Sequence, residues 1–377
     1  MKNFDVVIIG GGPSGSSLGY MLLTSGVSVC IIEKKSFPRF KLCGGLLTEK
    51  TVEIIEDIYN EPFRNFNQKT SDVAVYMDSS KIIDTDTKST FYLVERMDFD
   101  KYLIDKYKKS GGTLMEKSYI HKIDMNTRFI ETNNNEKINF KILVGADGAN
   151  SRTRKLINSK YRPNGFCIES TFQNTRLKNK INLFFNLNNS GYTWIFPKGN
   201  SCTVGIGEPL AKNQNIVGQF DEFISDNVPY SLSSKKGAFI PYGKYVKTPA
   251  KNNILLLGDA AGLVDPITGE GIYFALKSAQ LAKDSIMCTK HNNYMDTDII
   301  YNQKIKIIHK KIEDGNFLNK IVFNRKLSKR AIFKLLRGKS DLFSYICKNI
   351  ISNYNTSYRY FAIKYLLGKN KNDTHIK

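Results

Sequence analysis

The sequence predicts an α/β fold from three observations. The first thirty-five residues read strand, glycine turn, helix, strand and acid; two later apolar runs, at Ile142 and Ile254, each end in a glycine–aspartate element; and strand-like segments lie between these pieces. Phe4 to Ile9 has the length of a buried strand, and Gly10, Gly12 and Gly15 then fill the positions of G-x-G-x-x-G, with Pro13 and Ser14 between them. Gly10 allows the tight turn, Gly12 lets a pyrophosphate approach bare backbone, and Gly15, with Gly19 a turn later, lets the helix lie close on the sheet. The start of that helix offers free N–H groups and a positive dipole end to phosphates. Val27 to Ile32 is the second strand. Glu33 ends it, 23 residues after Gly10, where a carboxylate accepts hydrogen bonds from an adenosine ribose and disfavours a 2′-phosphate. The unit is Rossmann-like and dinucleotide-binding.

Composition sets outer limits. A chain of 377 residues with 41% hydrophobic content can bury a core and holds two domains or one large composite. Its six cysteines (Cys30, Cys43, Cys167, Cys202, Cys288 and Cys347) are scattered without C-x-x-C pairs, which points neither to zinc nor to a disulfide scaffold and suits a reducing cytoplasm. The first strand begins too near Met1 for a signal peptide, and no apolar run has the length of a membrane span. A cytoplasmic protein, soluble or peripheral at a membrane, is expected.

Net charge is +21, unevenly spread: residues 301–377 hold 18 Lys or Arg against 4 Asp or Glu. KIVFNRKLSKRAIFKLLRG and YRYFAIKYLLG interleave bases with aliphatic and aromatic residues at helical spacing and read as basic amphipathic helices. Such a surface suits anionic lipid headgroups, although helices packed on their own domain in a Lys-rich chain give the same pattern. No nucleic-acid module accompanies the charge, so nucleic-acid binding is not expected.

Along the chain, FPRFKLCGGLLT at 37–48 is a loop leading into a helix. Arg39 and Lys41 supply cations, and Gly44-Gly45 lets a ligand press on the backbone. Cys43 beside them is by type a buried apolar residue, but the cations and the helix start favour a reactive thiol. VAVYMD, IIDTD and TFYLV read as three strands of a second layer. ERMDFDKYL at 95–103 begins a helix with Arg96 at its start, placed to face a ligand phosphate or to pair with a carboxylate. Gly111-Gly112 ends this helix, and two strands follow with a turn at Asn133 to Asn135. ILVGADGANSRTRK then carries Asp147 at a strand end, and ILLLGDAAGLVDPITGEGI carries Gly258-Asp259 and a glycine loop before a helix from about Glu270. Asp259 suits sugar-alcohol hydroxyls, and the helix start near Gly271 and Ile272 suits negative charge on a bound ring. FCIESTF, INLFFNL, YTWIFPKG and SCTVGIGE predict an antiparallel sheet over 160–250.

In this order and at these separations the elements resemble the geranylgeranyl reductase family of FAD-dependent oxidoreductases, within the p-hydroxybenzoate hydroxylase-like flavoprotein superfamily. The carrying pieces are PRFKLCGG at 38–45, ER-x-x-FD at 95–100, GADGANS at 145–151, GYTWIFPKG at 191–199 and GDAAGLVDPITGEGI at 258–272, and the resemblance spans roughly residues 1–290. It implies FAD, with adenosine and pyrophosphate contacts from Gly10, Gly12, Pro13, Ser14, Gly15, Glu33 and Lys34. It implies further cofactor contacts from Arg39, Arg96, Asp147 and Gly258, and from Asp259, Gly269, Gly271 and Ile272 on the ribityl chain and ring. Cys43, Gly44 and Gly45 match the family's C-G-G element beside the flavin, with Cys43 as the candidate catalytic group. Tyr192, Trp194, Phe196 and Pro197 match its Y-x-W-x-F-P strand, which lines a lipid cavity.

The implied domains are FAD-binding at 1–70, 95–160 and 250–290, an inserted substrate sheet at 71–94 and 161–249, and a basic helical region at 291–377. The implied reaction is hydride transfer from reduced FAD to a carbon–carbon double bond of an isoprenoid or other apolar lipid. Cys43 or ordered water would supply the proton. No second G-x-G-x-x-G unit is present, so the electron donor is either NAD(P)H bound transiently or a small redox protein. An aromatic hydroxylase, a flavin-dependent halogenase and a non-catalytic membrane-docking flavoprotein share the architecture and stay as alternatives; a halogenase's W-x-W-x-I-P is not matched at Tyr192 and Phe196.

Overall fold

The computed structural model describes residues 1–173, 179–186, 191–210, 215–229, 234–322 and 326–361. β1 (Lys2–Ile9), α1 (Pro13–Thr24) and β2 (Val29–Ile32) form the N-terminal βαβ unit. The second strand starts later than the sequence suggests because Val27 closes the helix, its N–H bonding Leu22 O at 3.0 Å. β1 and β2 run parallel with Val6 opposite Val29 and Ile8 opposite Ile31. Val6, Ile8 and Ile31 are wholly buried, as continuous apolar runs are in a sheet covered on both faces. α1 lies close on this sheet: a Cβ at Gly15 would come within 2.0 Å of Gly10 O, and one at Gly19 within 2.8 Å of Ile31.

After β3 (Leu46–Leu47) and α2 (Glu49–Tyr59), β4 (Gln68–Met77) and β5 (Ser80–Leu93) leave for a second layer. IIDTD and TFYLV are one strand here. Lys88 takes φ +56° and Thr87 Oγ1 bonds Ser71 O and Ser89 O, so the chain bulges without breaking. α3 (Arg96–Lys109) returns to the first layer. There β6 (Thr113–Met115), β7 (Ile120–Asp124), β8 (Phe129–Thr132) and β9 (Lys137–Gly145) extend the sheet. β10 (Gly165–Gln173), β11 (Ile181–Phe185), β12 (Tyr192–Lys198), β13 (Ser201–Pro209) and, after α4 (Ile216–Asn227), β14 (Lys236–Ile240) build the second sheet. β15 (Ala250–Lys251), β16 (Ile254–Leu256), α5 (Gly258–Ala261) and α6 (Ile272–Thr289) complete the first.

The first sheet runs β15-β16-β9-β1-β2-β6, parallel from β16 to β6. The second runs β14-β10-β13-β12-β11-β4-β5-β3. It is mixed, not purely antiparallel: β11 pairs parallel with β4, Ile181 opposite Val73, because the two strands come from separate excursions of the chain and no hairpin joins them. One of its faces packs Ile168, Ile195 and Val204 on Phe220 and Ile224 of α4; the other carries Val73, Val75, Trp194 and Phe196.

The C-terminal region divides between the two layers. α7 (Thr297–Lys304) and α8 (Lys306–Val322) bury Tyr301, Ile308 and Ile312 in the nucleotide-layer core, where Tyr301 Oη donates to Leu256 O at 2.9 Å. α9 (Lys326–Leu336) and α10 (Ser340–Ile346) instead lie over the second sheet, with Phe333 and Cys347 in its core, and α11 (Tyr358–Phe361) packs on α8. Residues 362–368, the rest of the second basic amphipathic stretch, lie outside the described residues. Among those described, no helix is long and apolar enough to cross a membrane.

Candidate active site

Strand ends and helix starts of the first layer converge on a groove. Gly10 turns out of β1 at φ +101°, where a Cβ would lie 2.4 Å from Ala146 O. Gly12 precedes α1 with no side-chain cap, and Pro13 has no N–H to satisfy, so the first donors of the helix, the N–H groups of Ser14 and Gly15, have no side-chain cap. Gly12, Pro13 and Ser14 line the groove, while Gly10 and Gly15 shape it from behind.

Glu33 ends β2, almost buried. Its Oε2 accepts from Gly11 N–H at 2.9 Å and its Oε1 from Lys35 N–H at 3.0 Å, with Arg39 Nε 3.5 Å away. A carboxylate has about four acceptor positions, so it keeps capacity for hydroxyls on the groove side. Lys34 sits at the rim. Arg39 Nη1 also pairs with Asp100 at 3.1 Å, and Arg96 holds the same carboxylate with two bonds, 2.8 and 3.0 Å. Asp100, absent from the sequence-derived site, thus anchors two groove-lining guanidiniums. Its signal was the i,i+4 spacing from Arg96 on one helix. Burial opposes the Arg96 charge, but Asp100 and then Cys43 outweigh it, and the guanidinium is pushed above its ordinary value.

The Cys43-Gly44-Gly45 turn lies where the two layers meet. Gly45 takes φ +75° with Val94 O only 2.1 Å from where a Cβ would stand, and a Cβ at Gly44 would come within 2.8 Å of the Phe196 ring. Gly45 N–H donates to Cys43 Sγ at 3.4 Å, the Arg96 guanidinium faces the same thiol, and the Cys43 amide faces the carboxyl of Glu169 on β10.

Asp147 borders the groove, but Ser151 Oγ and the backbone N–H groups of Arg152 and Thr153 occupy its carboxylate, which caps the turn at 153–156. Gly258 donates its N–H to Ser278 Oγ at 3.1 Å and packs behind the groove. Asp259 faces the groove, and Arg154 fixes its turn by donating to Asp259 O and Ala260 O. α6 starts at Gly271 and Ile272 with no side-chain cap, and Gly269 in the preceding loop also borders the groove.

That loop is tied down on several sides. Asp265 accepts from Ile267 N–H, Thr268 N–H and Tyr358 Oη (2.8, 2.9 and 2.7 Å), and Tyr192 Oη donates to Thr268 O at 2.5 Å. Glu270 pairs with Lys50 at 2.8 Å and accepts from Thr48 and Thr51.

Tyr192, Trp194 and Phe196 share one face of β12 and wall an apolar chamber continuous with the groove, the whole cavity measuring about 630 Å³. Pro197, expected among the lining residues, does not line it: strand alternation turns Pro197 to the opposite face with Thr193 and Ile195. α9 and α10 supply the far wall through Phe333, which the sequence grouped with a basic amphipathic stretch, and Phe343.

The residues present fit FAD. Two uncapped helix starts aim N–H groups at the groove, Gly12 leaves bare backbone, and Glu33 retains acceptor positions. Trp194 Nε1, buried against Gly44, has no hydrogen-bond partner among the described residues. These are the donors and acceptors that a pyrophosphate, a ribose and a polar ring require.

A family model described as FAD binding domain matches residues 3–285. An uncharacterized protein of Methanosarcina barkeri is 32% identical over 339 residues, spanning 86% of this chain and 84% of its own length. A digeranylgeranylglycerophospholipid reductase of Methanocaldococcus jannaschii is 27% identical over 301 residues, 74% of this chain and 75% of the relative. Among solved structures, a geranylgeranyl bacteriochlorophyll reductase-like protein of Thermoplasma acidophilum has the same fold: TM-score 0.77, 23% identity, 97% of this chain and 96% of that one.

Proposed function

Because the chain belongs to the FAD binding domain family and is an FAD-dependent oxidoreductase like the geranylgeranyl reductases, we propose that it reduces carbon–carbon double bonds of an isoprenoid or similar apolar lipid. One observation carries the reading: the dinucleotide groove opens without a break into a chamber walled by Val73, Val75, Trp194, Phe196 and Phe333, with the Cys43 turn against Trp194 and Phe196.

Bound and reduced, FAD supplies a hydride. The chain's own residues do the rest. Glu33 and the uncapped start of α1 hold the adenosine and pyrophosphate ends, and Asp259 with the loop to Ile272 holds the ribityl and ring end. The aromatic face of β12 orients the lipid and excludes water. The second carbon of the double bond needs a proton, and Cys43 Sγ is the group that gives it, with ordered water the other source. The electron donor is NAD(P)H or a small redox protein. Lipid substrates meet the protein at an anionic membrane surface, through the basic outer side of the C-terminal helices.

The test is anaerobic. Protein reduced with dithionite is mixed with prenyl lipids, quinones and aromatic acids while flavin absorbance is followed. Reoxidation by a prenyl lipid, with a product two hydrogens heavier, is the expected result. Silence toward all of them, with turnover once oxygen and an aromatic acid are added, would make the protein a hydroxylase.

A further inference from the structure

Glu169 is a carboxyl where the sheet should be apolar. It stands on β10 between Ile168, which faces α4, and Ser170, and it is only 5% exposed. Its Oε2 has no hydrogen-bond partner among the described residues. A buried carboxylate with an idle oxygen is costly; a neutral carboxylic acid is much less so.

The surroundings form a small set. Glu169 sits opposite Gly205, and Gly205 opposite Trp194, so no side chain on β13 separates the carboxyl from the Trp194 position; the Trp194 ring itself occupies the space a Cβ at Gly205 would need. The groups facing Glu169 are Lys198 from β12, the Cys43 amide from the loop, Glu95 and Arg96 from the start of α3, and the buried Cys167 thiol two residues along β10, which faces both Glu169 and Cys43. Lys198 is as deeply buried and reaches Glu95 at 3.6 Å. Across β10, Lys236 pairs with Glu169 in register, but its ammonium lies over the Phe40 ring. Among the described residues Lys198 pairs with Glu95, and Glu169, shut away from solvent, has no ion pair of its own. Burial foremost raises its pKa to about 7 against the pull of Lys198.

We propose that Glu169 is a positioning residue for Cys43, an internal proton store that recharges the thiol after each reduction. This rests on the double-bond reductase reading. In the cycle the π bond breaks as hydride adds to one carbon. The Cys43 S–H bond breaks as its proton forms the second C–H bond, leaving a thiolate. The Glu169 O–H then gives its proton to the sulfur, and the carboxylate, stabilised meanwhile by the Cys43 amide and the charge of Lys198, regains a proton from water that enters the cavity on the Cys43 side once product has left. No electrons move in the recharging step.

The experiment uses the full chain with FAD, Glu169→Gln and Glu169→Asp, in a Cys288→Ser background that removes the exposed thiol. One arm needs no substrate: the pH dependence of Cys43 alkylation by iodoacetamide, read on its peptide by mass spectrometry. The expected profile has an inflection near pH 7 in the parent that vanishes in Glu169→Gln and persists, displaced, in Glu169→Asp. The other arm compares the first turnover with later ones on a prenyl lipid. Glu169→Gln should leave the first intact and slow later ones by about 10-fold or more, in the range of a lost proton-transfer group. An unchanged alkylation profile, or a first turnover slowed as much as the rest, overturns the proposal. If the parent reduces no prenyl lipid, the reductase reading fails, and the alkylation arm alone still decides whether Glu169 is coupled to Cys43.

Discussion

At the residue scale, the site shows how a single side chain is held by what surrounds it. Asp100 is wholly buried with Arg96 and Arg39 on its two oxygens, so three charges share a desolvated site where an unpaired one would cost several kcal/mol. Arg96 faces Glu169 but is bonded to Asp100, and among the described residues no guanidinium bonds the Glu169 oxygens, so its cost appears in the pH dependence of stability. A carboxyl raised from 4.5 to about 7 binds more protons in the folded chain than in the unfolded one between those values. Its contribution is fully present below pH 4.5 and is lost as pH rises through about 7. Glu169→Gln should remove that decline. In chemical denaturation at pH 4.5 and pH 8 the variant should gain roughly 3 kcal/mol relative to the parent over the interval. The difference between the two proteins isolates the effect from His309, which burial lowers to about 4 and which therefore acts with the opposite sign. A parallel pH dependence in both proteins would mean that Glu169 is ionised in the fold.

At the element scale, β12 and α9 do paired work. β12 turns Tyr192, Trp194 and Phe196 toward the chamber, and Tyr192 also fastens the loop that leads to α6. α9 faces them with Phe333, whose ring centre stands 5.0 Å from that of Phe185, while Lys334 and Arg337 remain exposed. Enlarging the side chain at this wall shortens the chamber. Phe333→Trp should retain activity on short prenyl substrates and lose about 10-fold or more on the longest, the scale of discrimination a hydrophobic pocket gives. Competition between short and long prenyl chains in one reaction reads this directly, and equal loss on both would place the end of the lipid elsewhere.

At the scale of the whole molecule, the two sheets and the C-terminal helices make one enclosure. The nucleotide layer contributes strand ends and helix starts, the second sheet contributes an aromatic wall, and Tyr358 and Lys50 tie the C-terminal region back to the loop before α6. The chamber is thereby closed by the most basic part of the chain. Cosedimentation with vesicles is expected to rise with anionic lipid content and to fall from low to high salt, since exposed charges are screened beyond about 10 Å at 0.1 M ionic strength. Binding that ignored both lipid charge and salt would remove the membrane role of this region.

The nucleotide half was legible in the sequence because its rules are local. Strand length, glycine spacing and an acid at the end of β2 are all set within thirty-five residues, and the backbone geometry of a pyrophosphate site demands those residue types. The division of β12 into two faces was equally legible, since side-chain alternation along a strand follows from the backbone alone, but which face borders the cavity, and so the exclusion of Pro197 from it, was decided by packing. The parallel pairing of β11 with β4, the merging of two runs into β5 and the division of the C-terminal helices between layers depend on contacts between segments far apart in the chain. Amphipathic spacing shows that α9 has an apolar face but not which surface that face covers. The same limit hid Glu169. A glutamate in FCIESTF reads as an ordinary polar position, and only the packing of β10 beside Cys43, Lys198 and Trp194 shuts it from water and raises its pKa.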